Sequence, residues 1–171
     1  VAYLAFGVGA ITVGTQVPYA LPSTLGLYIL FSGGNSPVQI ASGQYHSLAL
    51  SSDGTVWACG YNIYGQVGDG TTTNRSTAVQ ISGMSNIIAI GAGLYSSYAL
   101  ANDGKLWVWG QNIDTTSVGV PDRYIGYLGT ANNSVTAYSS PVLVGTYPKA
   151  ESFSSSGAFN IGNQVMLVRP Y

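Results

Sequence analysis

Charge is what this chain has least of. Charged residues make up 6% of its 171 positions, against about 25% in an average soluble protein. The first of them is Asp53, so residues 1–52 carry none. Five basic and six acidic residues give a net charge of −1. Arg75, Lys105, Arg123, Lys149 and Arg169 are scattered singly, so there is no basic stripe of the kind that displaces counterions from phosphate. Nucleic acid is excluded as a charge-held partner. The single cysteine, Cys59, excludes an intrachain disulfide. A long apolar run is missing too. Gly7, Gly9 and Gly14 interrupt Val1–Gly14, and Pro18 and Pro22 precede the next run, Leu25–Phe31. A spanning helix needs about 20 continuous apolar residues, and a signal peptide needs a positive start, so neither is expected. No helix is expected after Gly7-Val8-Gly9, which removes it as a nucleotide fingerprint.

Glycine (23 residues), tyrosine (13) and many Ser, Thr and Asn are present instead, the residues of short strands and tight turns. They are organised as a repeat. Ile40–Leu50 reappears as Ile90–Leu100, and Ser51–Asn62 as Ala101–Asn112. At a period of 50, Gly43, Tyr45, Ala49, Asp53, Gly54, Trp57, Gly60 and Asn62 recur unchanged as Gly93, Tyr95, Ala99, Asp103, Gly104, Trp107, Gly110 and Asn112. Period-two strands are predicted over Ser47–Leu50 and Thr55–Cys59, with Asp53-Gly54 suited to a type I′ hairpin turn between them; Asp103-Gly104 repeats this. Gly43 and Gly93 stand where a Cβ would obstruct close backbone approach. Gly60 and Gly110 are landmarks of the repeat, and sequence alone gives no reason for them. Ser76–Ile81 recurs as Ser139–Val144 at an offset of 63, which places an insertion after Asn112, and Pro37–Ile40 reads as the same element once more. Units of 40–50 residues with short strands and Gly and aromatic landmarks imply propeller blades.

The run Ala41–Thr71, with Gly43, Tyr45-His46, Asp53-Gly54, Trp57, Gly60, Asn62 and Tyr64-Gly-Gln-Val-Gly-Asp-Gly70, resembles the RCC1 (regulator of chromosome condensation) repeat. Cys59 stands where the pattern has the Trp that Trp109 keeps, and Ser96 replaces the histidine kept as His46. The resemblance implies an all-β fold of RCC1-like propeller blades. Two are recognisable, 37–85 and 86–149, the second with an inserted loop 114–127. The flanks, 1–36 and 150–171, read as degenerate β segments. The family's full propellers have seven blades, so an incomplete or open propeller is expected, with exposed edges that invite pairing.

No chemistry can be assembled. His46 has no second ligand at metal spacing and reads as a blade landmark. Asp53 and Asp103 are explained by their turns, and Cys59 as a small buried hydrophobe. The sequence therefore predicts no catalytic residue, metal or cofactor. Trp57, Trp107 and Trp109 read as core. Tyr45, Tyr61, Tyr64, Tyr95, Tyr124, Tyr127 and Tyr138 lie near strand ends or in loops and either fill blade interfaces or serve contact, for which tyrosine is efficient. The inserted loop, with Asp114, Asp122, Arg123, Tyr124 and Tyr127, is the one feature the repeat does not require and is a candidate interaction loop.

The expected function is a non-enzymatic structural or interaction module of an extracellular or virion assembly, such as a phage tail, capsid-decoration or surface protein. Its partners would be other protein subunits in a homo- or hetero-oligomer, or a cell-surface or glycan receptor. The alternative is a regulatory RCC1-type propeller that binds a small GTPase or other protein. A glycan-active enzyme is the remote alternative.

Overall fold

A computed structural model describes residues 36–112, 128, 130, 137–148 and 150, and the backbone of Leu4–Phe6, Gly9–Ile11, Ser152–Ser156 and Gln164–Val168. The fold is all-β, with no helix among these residues. In chain order the strands are β1 (Leu4–Phe6), β2 (Gly9–Ile11), β3 (Pro37–Ser42), β4 (His46–Ser51), β5 (Val56–Gly60), β6 (Arg75–Gln80), β7 (Ile87–Ala92), β8 (Ser96–Ala101), β9 (Lys105–Gln111), β10 (Ala137–Thr146), β11 (Ser152–Ser156) and β12 (Gln164–Val168). Strands β3-β4-β5-β6 form one antiparallel four-stranded sheet and β7-β8-β9-β10 a second. These are the two blades the repeat implies. Hairpins β1-β2 and β11-β12 form small separate sheets, the first against β4, β5 and β6 and the second against β7.

Registers repeat with the sequence. A β-bulge separates Pro37 from Gln39 in β3, and another separates Ile87 from Ala89 in β7. Gln80 pairs with Trp57 and Leu143 with Trp107, so β6 and β10 are equivalent at an offset of 63. Pro37–Ile40 behaves differently from the sequence reading. It pairs with β4 as the first strand of blade 1, the counterpart of β7 rather than of β6. Its run straight into Gly43, with no intervening loop, puts it in the first-strand position.

The hairpins also depart from expectation. Ser51 O accepts from Gly54 N at 2.9 Å, Ser51 N donates to Thr55 O at 2.9 Å, and only the glycine has positive φ (78°). This is a three-residue loop, a type I turn closed by a left-handed glycine, not the two-residue type I′ turn. Gly104 (φ 84°) closes the second one, bonding to Ala101 O. The aspartate serves the turn through its side chain: Asp53 Oδ1 accepts from Thr55 N and Oγ1 at 3.0 and 2.7 Å, and Asp103 Oδ1 from Lys105 N at 3.1 Å.

The core lies between the blades. Strands β4 and β8 are buried along their whole length, because both faces of each sheet are covered. Leu48, Leu50, Val56, Ala58 and Val67 of blade 1 cluster with Ile87, Ile90, Ala99, Ala101 and Trp109 of blade 2. Period-two alternation explains the fit. Each blade turns large residues forward (Leu48 and Leu50; Tyr98 and Leu100) and small ones backward (Ala49 and Ser51; Ala99 and Ala101). Large against small fills the joint at interior density.

Candidate interaction surface

Polar ties across the blades hold the joint. The Gln39 side-chain amide pairs with the backbone of Ile90, accepting from its N–H at 2.8 Å and donating to its C=O at 2.9 Å. His46 Nε2 lies 2.8 Å from Ser97 Oγ. The Ser97 hydroxyl donates to Gln66 O at 2.8 Å, which commits its one proton and makes Nε2–H the donor from His46. Trp109 Nε1 donates to the same Gln66 carbonyl at 2.9 Å. His46 is 3% exposed, and burial lowers its pKa to about 4. It is a neutral structural group, as its place in the repeat implies.

The glycine landmarks have their reasons here. A Cβ on Gly43 would collide with the His46 ring, which agrees with the expected close approach. Gly60 and Gly110, unexplained by sequence, stand at the end of β5 and one residue before the end of β9, at positive φ (117° and 98°). There the strand crosses tightly over the turn that opens its partner strand. A Cβ on Gly60 would stand 2.5 Å from Tyr45 O, and one on Gly110 would collide with Tyr95 O. Those two carbonyls are in use, accepting from Tyr61 N at 2.8 Å and Gln111 N at 2.9 Å.

The loop 61–74 after β5 is what seats blade 1 on blade 2. Buried Asn62 organises it: Oδ1 accepts from Val67 N at 2.8 Å, and Nδ2 donates to Thr71 O and Thr73 O at 3.0 Å and to Asp69 Oδ1 at 3.3 Å. Asp69 pairs with Arg75 and accepts from Thr71 Oγ1. Burial works against its ionisation, yet the Thr71 hydroxyl and Arg75 hold its pKa below the usual value. Gly68 lies over the Trp109 indole, where a Cβ would meet Nε1 at 2.5 Å, and a Cβ on Gly65 would run into the Ser139 backbone. Gly70 N donates to Ser139 O. The Gly-Gln-Val-Gly-Asp-Gly run is therefore an inter-blade seat. Asp69-Gly70 is uninformative in sequence, since the backbone partner of Gly70 lies about 70 residues on. Asn112 repeats the clasp. Its Oδ1 accepts from Leu128 N at 3.3 Å, so Leu128 stands in for Val67.

Strand direction sorts the remaining candidates onto two ends. The turns at 52–54 and 102–104 put Asp53, Asp103 and Lys105 at one end. Asp103 and Lys105 pair at 2.6 Å. Hydrogen bonds from Thr55 and Lys105 respectively lower the pKa of Asp53 and Asp103. The other end carries the turns 43–45 and 93–95 and the loop 61–74, and there four tyrosines meet. Tyr45 and Tyr95 stack with centroids 5.9 Å apart and planes at 25°. Tyr45–Tyr61 (5.8 Å) and Tyr64–Tyr95 (5.1 Å) meet edge to face, and Tyr61 lies 6.5 Å from Tyr95. All four are half-buried, and Ile63 beside them is 46% exposed. Among the described residues the only charges at this end are Asp69 and Arg75, which neutralise each other.

Other expectations divide. Trp109 is fully buried and Trp107, half-buried, packs against the same inter-blade cluster, whereas Trp57 is half-buried outside that cluster. Trp57 and Trp107 each share a strand face with the residue two positions on, Cys59 or Trp109, but stand nearer the hairpin turn. Cys59 is buried and its pKa is pushed up to about 12 by burial. Tyr138 packs on the core and donates to Thr130 Oγ1 at 3.4 Å. Asp114, Asp122, Arg123, Tyr124 and Tyr127 lie outside the described residues. No group of three or more potential metal ligands occurs among the described residues.

Comparison with known proteins agrees with this geometry. The family profile "Regulator of chromosome condensation (RCC1) repeat" matches residues 38–66 and 87–114, and a second profile of the same description matches 53–100. The chain carries RCC1 repeats. The segments of the first profile cover β3 to β5 and β7 to β9 and run just past the clasp asparagines, and the second profile spans β6 between them. Human WBSCR16 shares the fold at a TM-score of 0.60 and 21% identity, over 98% of this chain and 42% of that one. Prp20p from Saccharomyces cerevisiae, described with its binding to Gsp1p and histones, matches at a TM-score of 0.50 and 27% identity, over 68% of this chain and 28% of its own. The probable E3 ubiquitin-protein ligase HERC4 of Homo sapiens is 50% identical over 44 residues, 26% of this chain and 4% of that protein. The chain thus spans less than half of each. Beside such propellers, the two four-stranded RCC1 blades among the described residues form an incomplete one.

Proposed function

We propose that this chain is a protein-interaction module of the RCC1 type, and that it holds a small GTPase or another folded protein at its tyrosine end. The observation that carries this is the pair of RCC1 blades joined through a buried core, with the likeness to Prp20p, a protein that binds Gsp1p and histones. Tyrosine clustered on a rigid scaffold suits protein contact, since each ring offers large area at small entropy cost. Proteins built on RCC1 repeats act in general through such contacts, which favours a non-enzymatic role. Titration calorimetry and nucleotide-exchange assays against a panel of small GTPases test the reading. Saturable binding that weakens in Tyr45→Ser supports it. A panel without binding or exchange rejects the GTPase as partner.

Scarcity of charge supports a second reading, a subunit of an extracellular or virion assembly, because 6% charged residues leave little to keep copies apart. Particles purified from the source and probed for this chain by electron microscopy test that reading.

A further inference from the structure

We propose that the free edge of β3 at Ile40 is a docking site for the first strand of an RCC1-type blade outside this chain, which sets a carboxamide against the Ile40 N–H and C=O. The inference goes beyond the reading of the tyrosine end and does not depend on it.

The joint between the two blades shows what such an edge receives. Strands β3 and β7 are the same element at a period of 50, with the same bulge and the same register against β4 and β8. Gly43 N donates to His46 O and Gly93 N to Ser96 O, and bonded pairs alternate with unbonded ones along an antiparallel ladder. Ile40 and Ile90, opposite Ala49 and Ala99, fall on unbonded pairs, so both turn N–H and C=O away from their sheet. At Ile90 these groups are taken by the Gln39 carboxamide of blade 1, at 2.8 and 2.9 Å. At Ile40 no hydrogen bond takes them among the described residues. Burial differs in the same sense. Ile90 is 2% exposed and packs in the inter-blade core. Ile40 is only half-buried, Pro37 and Ser42 are exposed, and Val38 is 60% exposed. Strand β7 has β3 and β4 packed against it, whereas hairpin β1-β2 packs on blade 1 through β4, β5 and β6.

The two open groups select their ligand. One N–H and one C=O on a single residue are met together by a group that accepts and donates from neighbouring atoms, as a carboxamide does. A carboxylate has no donor and an ammonium no acceptor. An added backbone strand is less suited, because the bulge between Pro37 and Gln39 breaks the register and Pro37 has no N–H. Charge has no part in it, since residues 1–52 carry none. A second copy has no such group to offer from its own first strands. Its Gln39 is committed to its own Ile90. Ala89, paired with Leu100 as Gln39 is with Leu50, has no amide. The occupant is therefore a further RCC1-type blade whose first strand keeps the glutamine.

A cyclised hairpin with the sequence of residues 37–51 presents such a strand and serves as the probe, since a linear hairpin is marginal in water. Fluorescence anisotropy of the labelled hairpin, titrated with the full chain, should show saturable binding. Gln39→Glu in the hairpin removes the donor and weakens binding at least about tenfold. Ile40→Pro in the chain removes the outward N–H without costing a ladder bond, and should abolish binding while circular dichroism keeps its strand signature. Should Ile40→Pro lower stability, the Gln39→Glu hairpin, which leaves the chain untouched, still decides. No binding, full-strength binding by the Gln39→Glu hairpin, or full binding by a folded Ile40→Pro chain would each overturn the proposal. So would a dimer of the chain alone, seen by sedimentation equilibrium, that Ile40→Pro dissolves, because the edge would then belong to a second copy.

Discussion

His46 shows how one residue ties the pH response to the joint between blades. Its pKa is about 4 in the fold against an ordinary 6.5, so between those values the unfolded chain binds a proton that the folded chain refuses. Stability is full above pH 6.5, falls as pH drops through this window, and has lost roughly 3 kcal/mol by pH 4. Asp53, Asp69 and Asp103, with pKa values held below 3.8, add a separate loss only below that. Chemical denaturation at a series of pH values should show the slope between 4 and 6.5 in the wild type and a flat response in His46→Gln. Glycines give a second contrast at this scale. Gly60→Ala would force a Cβ to 2.5 Å from Tyr45 O at a φ of 117°, and should cost more than about 2 kcal/mol. Gly110→Ala, at the equivalent crossing over Tyr95, should behave alike. Gly83, at φ 85° with nothing within 4 Å, should lose only about 1 kcal/mol on change to Ala. Melting curves of the three variants check this.

At the scale of elements, the loop 61–74 is the part with most to lose. Asn62 is fully buried and bonds to four backbone or side-chain groups through its amide. Asn62→Ala strands buried donors and acceptors and should cost about 2–4 kcal/mol, measured by urea unfolding. The strands are legible in the sequence because β4 and β5, and β8 and β9, repeat at a fixed spacing with Asp-Gly between them. The turn type is not, since dipeptide identity says less than loop length, and the third residue of the loop decides it. Pro37–Ile40 misleads because its residues match those of the fourth strand, while its pairing with β4 is set by distance along the chain. The tyrosine group is visible in sequence only as scattered strand-end residues. Tyr45 and Tyr95 are related by the repeat and Tyr61 meets Tyr45 within blade 1, but Tyr64 reaches Tyr95, and Tyr45 stacks on Tyr95, only because blade 1 sits against blade 2.

Over the whole molecule, the blades should behave as one cooperative unit. Ser97→Ala removes the acceptor of His46 and a donor to Gln66 at once, and should cost about 2 kcal/mol. In native-state hydrogen exchange the loss should appear equally in β5 and β9. A loss confined to β9 would mean that each blade stands alone. That two blades exist can be read from sequence, since the landmarks recur. How they join cannot, since each tie crosses from one copy of the repeat to a residue of the other.

The asparagine clasp has a consequence for how such a chain can change. Asn62 reaches Val67 five residues on, and Asn112 reaches Leu128 sixteen residues on. Both close ahead of the last strand of their blade, and the extra length of the second loop falls between Asn112 and Leu128, the two residues the bond joins. Residues can accumulate between those two fixed points while the sheet keeps its register. A repeat with such a fastening offers a place where new sequence is tried at little risk to the blade that holds it.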